Sequence, residues 1–230
     1  MKLDPKTISI LKSFSVLNPS MLFREGNVLT GVSQQKTVLS RAVVPDTFPK
    51  KFAVYEMHRF LGSLSLFAEP EIEFKERYLE ISEGKKTTDD ADTSDRSVKY
   101  IYTDESLVTA APEKYLTLPS VDVEFKLTAK VLSDVIRAAG ILSLPEIVLM
   151  GDGEGLYIQA IDTKNPTSDV YKIKLSATDK KFNFIFKLEY ITALMSDDYE
   201  IQLSKSRLSY FKGNNIEYWI ILEQNSTYDS

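Results

Sequence analysis

Two stretches of the chain, KKFAVYEMHRFLGSL at residues 50–64 and KKFNFIFKLEYITAL at residues 180–194, make the same change of hydrophobic rhythm. In the first, Phe52, Val54 and then Met57 alternate as in a strand, after which Phe60, Leu61, Leu64 and Phe67 step by three and four as in a helix. In the second, Phe182, Phe184 and Phe186 alternate before Tyr190, Ile191 and Leu194 take up the helical step. Alternation places every second side chain on one face of a strand, whereas steps of three and four line one face of a helix. A strand that passes straight into a helix, written twice, points to two copies of one module.

The flanking segments repeat in the same order. Asp4 and Pro5 mark the start of a helix whose Ile10, Leu11, Phe14 and Leu17 recur at helical spacing. Strand-like runs follow at residues 20–23, 27–32 and 37–44, then the first module, then runs at 71–74, 77–82 and 98–103. The second copy starts at Thr128, which can cap a helix with the apolar face Val131, Leu132, Val135, Ile136, Ala139 and Leu142. Runs at 147–150, 156–160 and 170–175 lead into the second module, and 199–203, 208–212 and 216–222 close the chain. Residues 104–123, with Pro112 and Pro119 and an apolar Tyr115-Leu116-Thr117-Leu118, form a connector. The polar stretch EGKKTTDDADTSDR at 83–96 has no apolar anchor and reads as a mobile hairpin loop.

Composition narrows the chemistry. The 230 residues are 43% hydrophobic and 27% charged, which suits a globular chain with room for two cores, and their 12 Tyr and 12 Phe favour strands. Without cysteine there is no disulfide, thiol nucleophile or thiolate zinc site, and the single His58 cannot build a multi-histidine metal centre. The apolar runs are too short to span a bilayer, and no signal-peptide core is evident, so a soluble, unexported chain is expected. The Asp152-Gly153-Glu154-Gly155 run lacks the ligand series of a calcium loop and reads as a strand-joining turn. Asp89, Asp90, Asp92 and Asp95 could gather a divalent ion but have no rigid flanks. No cofactor or resident metal is expected.

The net charge of −5 argues against a nucleic-acid partner only if it is spread evenly. It is not. Residues 2–17 set Lys2, Lys6 and Lys12 against Asp4, and residues 126–142 set Lys126, Lys130 and Arg137 against Asp134. Each first helix is therefore net positive within an acidic chain. Seven residues apart, Lys130 and Arg137 return to nearly one helical face, opposite the apolar one. The plainer reading of either helix alone is a solvated face. Recurrence at the equivalent place in both copies favours a surface that attracts phosphates without reading sequence.

The N-terminal MKLDPKTISILKSF, the segment KKFNFIFKLEYITALM, the apolar connector between prolines and the closing strand before NSTYDS together resemble the sliding clamps of T4-type bacteriophages. The resemblance runs in order over the whole chain. It implies an α+β DNA-clamp fold of two tandem repeats, each with two helices packed on an antiparallel sheet, forming a ring. The implied domains are 1–108 and 126–230, joined by a connector at 109–125. It further implies a homotrimer around double-stranded DNA that tethers a DNA polymerase, is opened by an ATP-dependent clamp loader, and also serves late-transcription factors with RNA polymerase, in the cytoplasm of the infected bacterial host. Lys12, Lys130 and Arg137 would face DNA, with Lys2, Lys6, Lys126 and Arg59 nearby. Val98, Tyr100 and Tyr102 on one edge would meet Val170, Ile173 and Leu175 of the next subunit. Val43, Val44, Leu116, Leu118, Pro119, Trp219 and Ile221 would line a pocket for partner peptides. Two departures from the pattern are the long acidic stretch at 83–96 and the absence of cations at 138–141. The chain carries no catalytic constellation and no Walker-type phosphate loop, so an enzyme ranks third. A phage structural ring protein, from the tail or baseplate, is the competing reading, since it too could use repeated sheets and edge pairing.

Overall fold

The computed structural model describes residues 1–84, 96–114 and 116–229. The aspartates weighed above as an ion site, Asp89, Asp90, Asp92 and Asp95, lie outside the described residues, as do most of the acidic stretch and Tyr115. The chain divides into two compact units. The first comprises Met1–Gln34 and Arg41–Pro112, and the second comprises Gln35–Ser40 and Glu113–Ser230.

The first unit opens with α1 (Pro5–Leu17), followed by β1 (Met21–Phe23), β2 (Gly26–Val32), β3 (Val38–Phe48), β4 (Phe52–Val54), α2 (Met57–Leu64), β5 (Pro70–Phe74), β6 (Tyr78–Glu83) and β7 (Ser97–Ile101). The start of β3, up to Ser40, belongs to the second unit. The Asp4 carboxylate accepts from the backbone N–H of Lys6 at 2.7 Å, and Pro5 needs no partner for a missing donor, so α1 begins where its orphan groups are satisfied. Its Ile10, Leu11, Phe14 and Leu17 are buried. At its end Asn18 donates from its backbone to Phe14 O and from its side chain to Val32 O at 3.0 Å. Met57 is the first residue of α2 and not a strand position, because the chain leaves the extended form at Glu56. Phe23 stacks on Phe52 with ring centroids 4.4 Å apart, and Phe48 and Phe60 close the cluster.

The second unit runs β8 (Val123–Leu127), α3 (Ala129–Ile141), β9 (Glu146–Asp152), β10 (Gly155–Ile161), β11 (Tyr171–Ala177), β12 (Lys181–Lys187), α4 (Leu188–Thr192), β13 (Tyr199–Ser204), β14 (Leu208–Lys212), β15 (Ile216–Ile221) and β16 (Thr227–Asp229). One antiparallel sheet has the order β11-β10-β9-β12-β16, and the other runs β15-β14-β13-β8. Helix α3 buries Leu132, Val135 and Ala139. Leu142, expected on its apolar face, is the C-cap and is part-exposed, because the helix turns away there. Asp152 accepts from the N–H groups of Glu154 at 3.0 Å and Gly155 at 2.7 Å, so its carboxylate builds the β9–β10 turn.

The same logic governs both units. In each, the chain before the first helix pairs with the strand after the second: Met1 exchanges backbone hydrogen bonds with Ile72 in the first unit, and β8 pairs with β13 in the second. In each, the strand after the first helix pairs with the strand before the second, β1 with β4 and β9 with β12. In each, three antiparallel strands follow the second helix, β5-β6-β7 and β13-β14-β15.

Candidate functional site

Three surfaces gather the residues singled out in the sequence: the cationic helix faces, an apolar cavity in the second unit, and the edge strands β7 and β11.

On α1, Lys6 and Lys12 are exposed, opposite the buried face, and neither ammonium has an acidic partner among the described residues. Lys2, ahead of the helix, pairs with Glu69. Arg59 on α2 lies 2.5 Å from Glu56. On α3 the arrangement differs. Lys130 meets the Asp134 carboxylate at 2.8 Å and Arg137 meets it at 3.3 Å, one turn on either side. The hydrogen bond from Lys130, with the charges of Lys130 and Arg137, holds the Asp134 carboxyl below the usual carboxylate range. The exposed face of α3 therefore offers two cations already shared with one carboxylate. The sequence carries this pairing in its i,i+4 and i,i+3 spacing. Lys126 is on β8, not on the helix, and lies 3.4 Å from Glu200 on the adjacent strand.

The cavity, about 440 Å³, opens beside the end of β15. Leu116, Pro119, Trp219 and Ile221 line it, together with Lys36, Thr37, Leu39, Ser206, Arg207, Leu208, Leu222 and Gln224. Leu118 is half-buried outside that lining, and Val43 and Val44 fall in the first unit, Val44 being buried. Leu116 and Ile221 leave 42% and 46% of their surface exposed, high for residues of their size, whereas Trp219 is buried. Exposed aliphatic groups around a concavity are the usual ground for binding an apolar side chain. The residues from 36 to 39 and from 206 to 208 were not expected there. They reach the cavity because Ile221 N–H donates to Thr37 O at 2.9 Å and Leu222 N–H donates to Arg207 O at 3.0 Å.

Two of the sheet edges carry the residues singled out for subunit contact: β7 ends the β5-β6-β7 sheet, and β11 ends the five-stranded sheet. Val98 and Tyr100 are half-buried on β7, and Tyr102 just beyond it is also half-buried. Burial pushes the Tyr102 hydroxyl up to about 12. On β11, Ile173 and Leu175 are half-buried, while Val170 just before the strand is 49% exposed. Each edge also carries lysine laid on a tyrosine of the neighbouring strand, Lys99 on Tyr78 at 4.5 Å and Lys172 on Tyr157 at 3.7 Å. Edge lysines oppose indiscriminate strand addition while leaving the backbone groups available to a matched partner.

Two units with one order of elements and paired helices on antiparallel sheets define the DNA-clamp fold. Proliferating Cellular Nuclear Antigen from Entamoeba histolytica superposes on 94% of this chain and 94% of its own with a TM-score of 0.68, at 8% identity. The chain is similar in sequence to phage sliding clamps. It is 28% identical to the sliding clamp of Vibrio phage KVP40, over 97% of this chain and 99% of that protein. It is 24% identical to the sliding clamp of Enterobacteria phage T4, over the full length of both. No protein-family model matches the chain.

Proposed function

We propose that the chain is a sliding clamp and DNA polymerase processivity factor: copies of it close into a homotrimeric ring around duplex DNA and tether the polymerase to the template. One observation carries this reading. A single module occurs twice along the chain, each time with a first helix that exposes cations and with an open antiparallel edge. Helices with a few unpaired or shared cations attract phosphates without reading bases. Such contacts are too weak to hold a protein on DNA alone, so retention has to come from closure. Closure in turn needs complementary edges, and β7 of one copy against β11 of the next removes both in a head-to-tail ring.

In this reading the acidic remainder of the chain lies away from the duplex, and Lys12, Lys130 and Arg137 meet the phosphates. The protein works as a scaffold and not as an enzyme. Opening the ring is the task of a separate ATP-dependent loader, since the chain has no phosphate-binding loop of its own. The cavity beside β15 takes terminal peptides of the polymerase, and late-transcription factors acting with RNA polymerase use the same site. The setting is the cytoplasm of the infected bacterium, in keeping with the finding that no helix among the described residues is long and apolar enough to cross a membrane.

The decisive experiment combines native mass with retention on DNA. A trimer that stays on circular duplex far longer than on the same duplex linearised is expected after loading. A protein that remains monomeric at high concentration and leaves both substrates equally fast would sink the proposal. The triple variant Lys12→Gln, Lys130→Gln, Arg137→Gln separates a clamp from a tail or baseplate ring. A clamp loses retention, and a structural ring assembles as before.

A further inference from the structure

Aligned by their buried faces, α1 and α3 match beyond what packing requires. Thr7, Ile10 and Phe14 of α1 fall on Leu132, Val135 and Ala139 of α3, and all of them are buried. At that alignment Lys12 falls on Arg137 and Val16 falls on Ile141. Val16 and Ile141 are also alone, among the described residues of the α-helices, as large apolar side chains left exposed, at 65% and 75%. A single exposed aliphatic residue calls for no explanation. The same one, four residues beyond the exposed cation in both repeats, does. Away from the buried face the two helices share little else, for Lys6 stands where α3 has Val131, and Ile8 where it has Ser133.

Residues four apart lie on one face of a helix, about 6 Å along its axis. A helix that brings Lys12 or Arg137 to a phosphate therefore brings an aliphatic group to what lies beside that phosphate in the backbone. That neighbour is a deoxyribose, whose C–H edge is apolar and the same at every base. We infer that Val16 and Ile141 are the apolar half of the duplex contact: the cation meets a phosphate, and the aliphatic side chain one turn on packs against the adjacent sugar. This role rests on the reading of both helices as the DNA-facing surface, and it adds a component that is not electrostatic. Phosphate contacts fade as salt rises, whereas burial of apolar surface does not. Contact with sugar carries no sequence information, so it adds hold without stopping the ring at any base. The last turn of α3, residues 138–141, has no cation, and Ile141 is what that turn offers the backbone.

The test is fluorescence anisotropy of a fluorescein-labelled linear duplex titrated with the intact protein across a salt series. The double variant Val16→Ser, Ile141→Ser should bind about fivefold more weakly at every salt concentration, giving a line of log affinity against log salt parallel to that of the unaltered protein. The double variant Lys12→Gln, Arg137→Gln should instead flatten the line. Methionine at both aliphatic positions keeps the apolar surface and should keep the affinity. Serine differs little from valine and isoleucine in helix propensity, and both sites are exposed, so the serine variant should melt where the unaltered protein does. If the serine variant binds as the unaltered protein does while the glutamine variant loses slope, the sugar contact is overturned and the DNA-facing helices stand. A line that neither variant moves would take both helices off the DNA and remove the two readings together. Weakening by methionine as large as by serine would overturn the inference, and so would a shift of native mass toward monomer in the serine variant, which would assign the aliphatic pair to contact between subunits.

Discussion

Asp134 sits between Lys130 and Arg137 and takes one hydrogen bond from each. If this face meets phosphates, the aspartate is a built-in competitor for both cations. Asp134→Asn should therefore raise affinity for linear duplex several-fold and steepen the dependence of log affinity on log salt by up to about two units, since each freed cation adds about 0.9. Fluorescence anisotropy across a salt series reads both quantities. An unchanged slope would take this face off the DNA. The pH dependence has a definite sign. A carboxyl held below its ordinary value stabilises the fold above that value, and the contribution is lost as pH falls below 3.8 and through the depressed one. Asp134→Asn should flatten the acid limb of the melting temperature and leave the neutral region alone.

Gly151 is a residue whose lack of a side chain is structural. It stands opposite Phe182 in the β9–β12 pair, and a Cβ there would fall 2.5 Å from both the Phe182 ring and the Lys180 carbonyl oxygen. Gly151→Ala should cost about 1–3 kcal/mol, as overpacking usually does, and lower the melting temperature of the chain. An unshifted melt would mean that the ring yields freely. The steric demand depends on a partner about thirty residues away in sequence, and a lone glycine in a strand signals only that some close approach exists.

At the scale of elements, α1 and α3 were readable because their signals are local. Asp4-Pro5 and Thr128 cap within three residues, and the apolar step of three and four fills the buried face. Asp4→Ala should destabilise the chain by about 1 kcal/mol, measured by urea titration. A cost near zero would mean that the contact of the Asp4 backbone with Asp46 suffices to hold the start of the helix. By contrast β8 and β16 escaped the sequence reading. Val123–Leu127 alternates apolar and polar residues but is only five residues long and lies between the connector and the helix cap at Thr128, where pairing with β13 makes it a strand. The far end of β3 runs through Pro45 to Phe48, beyond the expected stop at Val44, because a proline at a strand position is tolerated wherever no ladder donor is needed. The edges β7 and β11 belong to this scale too. Val170 and Ile101 are exposed at or next to them, at 49% and 67%, so Val170→Asp and Ile101→Asp should leave the fold within about 0.5 kcal/mol. If head-to-tail pairing builds the ring, the same changes should shift sedimentation toward monomer. Persistence of the oligomer in both variants would place the contact elsewhere.

For the molecule as a whole, the sliding-clamp reading predicts a dissociation between salt sensitivity and retention. Contacts to phosphates weaken steeply with salt, while topological linkage does not. On circular duplex a closed ring should survive salt that strips the protein from linear duplex, until the subunit contacts themselves fail. Equal loss from both would show that charge alone retains it. The repeat, the order of strands and helices, the net positive first helices and the resemblance to phage clamps were all present in the sequence, because each is a local pattern or a count over a short window. The composition of the cavity was not. Lys36, Thr37, Leu39 and Arg207 join Trp219 and Ile221 only through backbone hydrogen bonds between segments far apart in the chain, and the assignment of Gln35–Ser40 to the second unit follows from the same pairing. Periodicity tells which face of a strand is apolar, but strand neighbours are chosen by long-range packing, which leaves no mark within any single stretch of sequence.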